Sequence, residues 1–575
     1  MTIESHGGNK VAEILSQFST THIFTLCGGH ISPILTGCNQ MGIKVVDVRH
    51  EATAVFAADA LARMTGRVGV AAVTAGPGLT NTITAIKNAQ MAQVPVLIIG
   101  GATATVLKNR GSLQDIDHLA LVKSITKYSQ TIKRVRDLQP ILQKAVHRAN
   151  TGTPGPVFVE IPVDILYPES IVREWYGLKS GSGKMPWWMS TYLNWNVDRI
   201  FKSKDKKDQY VTDVKKSKIS SLQLTRFREL MQSSEKPILL IGSQTMQGME
   251  NEKALVESIR RLNLPTYVSG MARGLLSESS LPIYRHERKS ILKEADVVIL
   301  AGVPNDFRLD YGRHINRKAK LISINLNRTD LYLNRKPILA LQHHPAEFLV
   351  KVSDSVQHIN RDTWHHHIQE RNTKKENTIN EQASTNVGKV NPMRFFSLLN
   401  GFLNDGDIIV ADGGDFVATA SYILKPKSMR GWLDPGVFGT LGVGAGFILG
   451  AQLSSPDAVV WAIYGDGAFG YSLIEFDSFV RHKIPVIAII GNNAGWVQIA
   501  RDQKEFLKDA VSTELAPSNY HDAVEALGGK GFIINEESEI EIVLEKAKTA
   551  AMKGFAVAVN VMIKDTDFRQ GSISM

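Results

Sequence analysis

AVVWAIYGDGAFGYSLIEFDSFVRHKIPVIAIIGNN, residues 458 to 493, decides how the chain is read. Two apolar runs, AVVWAIYGDG (458 to 467) and IPVIAIIGNN (484 to 493), enclose a helix-length stretch. A run that is apolar on both faces suits a parallel strand covered by helices on each side. Each run ends in Gly, Asp or Asn, at the carboxyl end where open α/β sheets place their ligands.

The same pattern recurs outward. GDIIVADGG (406 to 414) and FAVAVNVMI (555 to 563) extend this third unit. KPILLIGS (236 to 243), ADVVILAG (295 to 302) and KLISINLN (320 to 327) build a second, and VGVAAV (68 to 73), VPVLIIG (94 to 100) and GPVFVEIP (155 to 162) a first. Strands alternating with helices predict three α/β, doubly wound parallel-sheet domains, which suits 575 residues. The expected boundaries are 1–172, 223–352 and 391–575. Polar linkers are expected at 173–222, which holds SGSGK and KSKDKKDQ, and at 353–390, which holds HHH and NTKKENTINEQ. The first and third units read as one architecture used twice.

The formal net charge of +10 favours anionic ligands. Nucleic acid is not expected, for there is no Cys/His zinc spacing, arginine-rich arm or aromatic RNA-binding motif. Two cysteines, Cys27 and Cys38, make no disulfide framework and point to a reducing, cytoplasmic setting. No signal peptide and no apolar run of about 18 residues is read. Trp175, Trp187, Trp188 and Trp195 crowd the first linker with lysines after them; they read either as an interfacial helix touching a membrane surface or as packing on their own domain.

The chemistry centres on Gly465-Asp466-Gly467-Ala468 and Asn492-Asn493. A pyrophosphate needs a divalent ion, and Mg2+ takes oxygen ligands that Asp466 and an asparagine can supply. Flanking glycines let backbone amides approach phosphate oxygens. Gly-Asp-Gly alone is an ordinary turn; the Asn-Asn pair at its distance from Asp466 resembles the cofactor motif of thiamine-diphosphate enzymes.

The resemblance spans nearly the whole chain. HIFTLCGGHISPIL (22 to 35), RHEATAVFAADALARMTGRVGV (49 to 70), TAGPGLTN (74 to 81), FGTLGVGAGF (438 to 447), GDGAFGYSLIEFDSFVRHKIPV (465 to 486) and TDFRQGSIS (566 to 574) resemble the acetolactate synthase, oxalyl-CoA decarboxylase and 2-hydroxyacyl-CoA lyase superfamily. It implies a pyrimidine-binding first domain, a central domain holding FAD or an adenine nucleotide, and a diphosphate-binding third domain. It implies thiamine diphosphate with Mg2+ held by Asp466, Asn492, Asn493 and Gly495. Glu51 is implied to share a proton with the aminopyrimidine, and Gln114 to reach the substrate. Gly76, Pro77 and Gly78 fall near the thiamine ring, Gly413 and Gly414 at the diphosphate, and Gly439, Leu441, Gly465, Gly467 and Ala468 against the cofactor. Asp115 and Asp415 depart from the synthase pattern, which has glutamate and histidine there.

The expected function is cleavage of a 2-hydroxy fatty acyl-CoA to a shortened aldehyde and formyl-CoA. The alternative is acetolactate synthase acting on pyruvate, a 2-oxo acid; a non-catalytic scaffold is the third. The resemblance further implies a homodimer or homotetramer, and opens an endoplasmic-reticulum membrane association as the alternative to the cytoplasm.

Overall fold

A computed structural model describes residues 5–178, 185–202, 218–356, 359–566 and 568. Contacts divide them into two compact units: one runs to residue 202 and includes Ala445–Gly450, and the other contains the remainder from residue 218.

The first unit holds β1 (His22–Thr25), β2 (Lys44–Asp47), β3 (Gly69–Val73), β4 (Val96–Ala102), β5 (Tyr128–Thr131) and β6 (Val157–Pro162). They form one parallel sheet in the order β2-β1-β3-β4-β6-β5. Val70, Ala72, Leu97, Ile99, Val157 and Val159 are buried in its core, as runs apolar on both faces require. The helix Glu51–Thr65 starts where His50 accepts the Ala52 amide and stops at Gly66, whose φ of 72° ends it. Within it Arg63 and Asp59 pair at 2.7 Å, fully buried, and Asn88 Nδ2 donates to the same carboxylate. Such a pair survives burial because every charge has a partner.

The second unit holds two sheets. β7 (Pro237–Ile241), β8 (Thr266–Val268), β9 (Ile283–Tyr284), β10 (Val297–Ala301), β11 (Lys320–Ile324) and β12 (Leu339–Leu341) lie in the order β12-β11-β10-β7-β8-β9. β13 (Ile408–Ala411), β14 (Trp432–Leu433), β15 (Val460–Gly465), β16 (Val486–Asn492), β17 (Lys530–Ile534) and β18 (Ala556–Met562) lie in the order β14-β13-β15-β16-β18-β17. Counted within each sheet, the first and third share one strand order, and the central sheet has the mirror listing of the dinucleotide-fold order. All three are parallel, as expected.

The stretches read as linkers differ from expectation. Residues 353–390 contain a helix, Asp362–Ala383. Its sequence is polar, yet Trp364, Ile368, Asn372, Ile379 and Ala383 make a buried stripe at helical spacing, and Trp364 Nε1 donates to the Pro237 carbonyl at 3.1 Å. Between 173 and 222 lies the helix Trp187–Phe201, which buries Asn196, Val197 and Ile200. Trp187 is 79% exposed, and Trp188 and Trp195 are exposed as well, though the Trp195 ring lies beside Tyr192 and Arg199. SGSGK, most of KSKDKKDQ and most of TDFRQGSIS lie outside the described residues. Among the described residues no helix is long and apolar enough to cross a membrane. Cys38 is buried and Cys27 exposed.

Candidate functional site

In the first unit, Glu51 is the first residue of its helix and is buried. Its Oε2 accepts from Asn81 Nδ2 at 2.9 Å. Asn81 ends the short helix Pro77–Thr80, which begins at Gly76. Gly76 sits at φ 62°, ψ −113°, and a Cβ there would lie 2.9 Å from the Cβ of Gln114; only glycine satisfies both the angle and the approach. Glu51, Gly76, Pro77, Gly78 and Gln114 are thus brought into one neighbourhood. The departure at Asp115 has a local reason: its Oδ2 accepts the Asn109 amide and clasps its own loop.

In the second unit a cleft of about 560 Å³ opens at the carboxyl ends of β13, β15 and β16, a volume ordinary for a cofactor pocket. Gly413, Gly414, Gly439, Leu441, Gly465, Asp466, Gly467, Ala468, Asn493 and Gly495 all line it. Gly414 caps the helix Asp415–Ile423, presenting that helix's amides towards the cleft end of β13. Leu441 packs directly on Gly413, where a Cβ would lie 2.4 Å from Leu441 Cδ2.

Asp466 follows β15 and is buried; Oδ1 accepts the Gly467 amide at 2.8 Å and Oδ2 the Gly495 amide at 3.1 Å. Burial pushes its carboxyl above the usual range, against the lowering by the amides of Gly467, Gly495, Ala494 and Asn493. Asn493 Nδ2 donates to Asp565 at 2.8 Å, and its Oδ1 accepts no hydrogen bond among the described residues. Ala494 holds a φ of 56°, the strained backbone found at binding sites. Asn492 does not line the cleft: it is buried, with Oδ1 on the Ala494 amide and Nδ2 on Ser518 O and Asn560 Oδ1. Its side-chain amide is engaged in holding the loop, so of the two asparagines Asn493 is the one that faces the cleft.

The residues fit the expected groups. Among the described residues no cluster of three or more His, Cys, Asp or Glu could hold a metal ion. The Asp466 carboxylate and the Asn493 amide oxygen, at a glycine-lined cleft, are the oxygen types that Mg2+ takes when it is shared with phosphate.

Asp415 is no phosphate donor either, for its Oδ2 takes Arg501 Nη2 at 2.6 Å. Three contributors escaped the sequence reading. Asp412, buried, accepts the Gly442 amide at 3.0 Å and the Gly444 amide at 2.7 Å, fixing the loop that carries Leu441. Burial pushes its carboxyl up to about 7. Arg273 and Arg308 both line the cleft. Arg273 lies 5.2 Å over the Trp432 ring and donates to Ser421 O, and Arg308 is held by Asp306. The signal for Asp412 was its position at the end of DIIVADGG; the arginines carried none beyond their type.

Two glycine-lined strand ends, a buried aspartate and a helix-borne glutamate describe a diphosphate cofactor enzyme, and comparison settles the class. The chain belongs to the thiamine pyrophosphate enzyme family: the models of its N-terminal TPP binding domain, central domain and C-terminal TPP binding domain match residues 5–121, 224–352 and 412–560. Its relatives include "2-hydroxyacyl-CoA lyase 2" of Bos taurus, 46% identical over 99% of this chain and 92% of that protein. The protein of the same description from Caenorhabditis elegans is 44% identical over 99% and 91%. "Acetolactate synthase large subunit IlvG" of Mycobacterium tuberculosis is 29% identical over 97% and 95%.

Proposed function

We propose that the chain is a thiamine-diphosphate- and Mg2+-dependent 2-hydroxyacyl-CoA lyase, converting a 2-hydroxy fatty acyl-CoA to an aldehyde one carbon shorter and formyl-CoA. The observation that carries this reading is identity of 44–46% to proteins described as that lyase, across 99% of the chain, against 29% to synthases. The commitment of Asp115 and Asp415 to Asn109 and Arg501 agrees with it.

When bound, thiamine diphosphate supplies a carbon nucleophile for the thioester carbonyl and a sink for the electrons of the breaking bond. In the proposal Asp466, Asn493 and Gly495 hold Mg2+, and Gly413, Gly414 and Gly467 admit the diphosphate. Glu51, with Oε2 occupied by Asn81, presents Oε1 to share a proton with the pyrimidine ring. Arg273 and Arg308 attract and orient an anionic substrate. The bond between the hydroxyl-bearing carbon and the acyl carbon breaks; the hydroxyl loses its proton as the aldehyde forms, and the acyl carbon gains one. FAD has no specific observation in its favour and is left out of the proposal.

The assembly proposed is a homodimer or dimer of dimers, with Glu51 and Asp466 serving one cofactor from different subunits. A fully active monomer in analytical sedimentation would remove that part. The activity is tested with purified protein, thiamine diphosphate and Mg2+, offered a long-chain 2-hydroxyacyl-CoA or pyruvate. Aldehyde with formyl-CoA supports the lyase; acetolactate from pyruvate and no aldehyde would replace it with the synthase.

A further inference from the structure

The Gly76 amide donates to His118 Nε2 at 2.8 Å, from 42 residues away in the chain. Because Nε2 accepts, the ring proton of the neutral imidazole sits on Nδ1. Nδ1 lies 2.7 Å from Glu160 Oε2, an acceptor that requires that proton. Glu160 is wholly buried, and its other oxygen takes Thr131 Oγ1 at 2.7 Å and Lys108 Nζ at 3.1 Å. Burial pushes the Glu160 carboxyl up, but its bonds from His118, Thr131 and Lys108 outweigh this and hold it below its ordinary value. His118, itself 2% exposed, is therefore fixed in one tautomer and one orientation.

What it holds is not an arbitrary backbone atom. The Leu79 and Thr80 amides both return to Gly76 O at 3.1 Å, and the Asn81 amide to Pro77 O at 3.0 Å. The turn from Gly76 to Asn81 is tied together by these bonds, and its end carries the amide that grips Glu51.

We infer that His118, oriented by Glu160, is a positioning residue for Glu51: it fixes the Gly76 amide and, through the Pro77–Thr80 turn, sets where Asn81 holds the carboxylate. The inference rests on the catalytic role proposed for Glu51. It differs from the ordinary reading of a satisfied buried histidine, which would cost stability alone when replaced.

The test uses the full chain with three substitutions. His118→Leu removes the acceptor and leaves the Gly76 amide buried without one. His118→Gln returns an oxygen near the Nε2 position. Glu160→Gln puts an N–H donor before Nδ1 and so favours the wrong tautomer. Hydrogen exchange across residues 74–82 is followed in cofactor-free protein, and kcat and KM are measured separately.

For H118L we expect exchange over 74–82 at least about tenfold faster, and kcat lowered about 10- to 100-fold with KM within about threefold. H118Q should bring both back to within about threefold. Faster exchange with an unchanged kcat overturns the inference, and so does folded H118Q that recovers neither quantity. Should H118L fail to fold, E160Q decides: a lowered kcat at unchanged KM supports the inference, and an unchanged kcat overturns it. Glu51→Gln is assayed alongside. If it keeps full turnover, the reading of Glu51 itself has failed and the positioning role falls with it, whereas a loss in E51Q with none in H118L and E160Q locates the failure in the coupling.

Discussion

Asn81 Nδ2 lies 2.9 Å from Glu51 Oε2, so two helices that begin 26 residues apart in the sequence, at Glu51 and Pro77, meet on one carboxylate. One oxygen is thereby fixed, and in the proposed mechanism the other is left for the pyrimidine ring. A carboxylate held this way offers a proton at a defined place instead of sampling rotamers, and that is the condition general acid–base chemistry sets.

Replacing Glu51 with Gln preserves shape and the bond to Asn81 but removes the exchangeable proton. The expected result is a fall in kcat of about 10²- to 10⁴-fold, with thiamine-diphosphate affinity within about threefold. Steady-state kinetics and a fluorescence titration check both numbers. Asn81→Ala should lower kcat by about tenfold, since it loosens the carboxylate without deleting it.

Asp466→Asn places an amide N–H against the Gly467 or Gly495 amide and removes the negative charge. Thiamine-diphosphate affinity in saturating Mg2+ should fall at least about 100-fold by calorimetry, and chelation of Mg2+ from the wild type should do the same. Equal affinity in D466N would remove Asp466 from the metal site.

Gly413→Ala should drive a methyl to 2.4 Å from Leu441 Cδ2. Overpacking of this kind costs about 1–3 kcal/mol and tilts Leu441 out of its place beneath the cleft. Thermal unfolding should show a lower Tm for G413A, recovered when Leu441→Ala is added, whereas L441A alone should weaken cofactor binding. Two Tm losses that simply add would disprove direct contact.

Asp412 gives a pH dependence with a definite sign. Its folded-state pKa, raised from 3.8 to about 7, means that the folded chain binds more protons than the unfolded one between those values. Stability from this group is complete below about pH 4 and is lost as the pH rises through about 7. The difference in unfolding free energy between cofactor-free wild type and Asp412→Asn should shift against the wild type over that window, measured by denaturant titration at several pH values. A flat difference would mean that the carboxyl titrates normally.

The strand runs were legible because parallel strands buried on both faces must be apolar throughout, and VGVAAV, KPILLIGS and AVVWAIYGDG left little alternative. The cleft positions of Asp466 and Asn493 were legible because each stands at the carboxyl end of an apolar run, where open α/β sheets place their clefts. Asn492 has the same type and nearly the same position, and only its bonds to Ser518 and Asn560 set it apart from Asn493. The role of His118 was invisible because it acts across 42 residues of chain, and the bonds of Asp412 and Arg273 span 30 and 148 residues, through partners no local pattern announces. The helix Asp362–Ala383 was missed because five inward positions in 22 residues are too few to stand out against its lysines and asparagines.

The shared strand order of the first and third sheets gives their turns a common address. The loop after the third strand of the first sheet is Gly76-Pro77-Gly78; the loop after the third strand of the third sheet begins with Asp466-Gly467. The first forms a turn whose end holds Glu51, and the second places a buried carboxylate at the cleft. One strand order therefore exposes the same position twice, and the residue that stands there, glycine in the first sheet and aspartate in the third, decides what the position can bind.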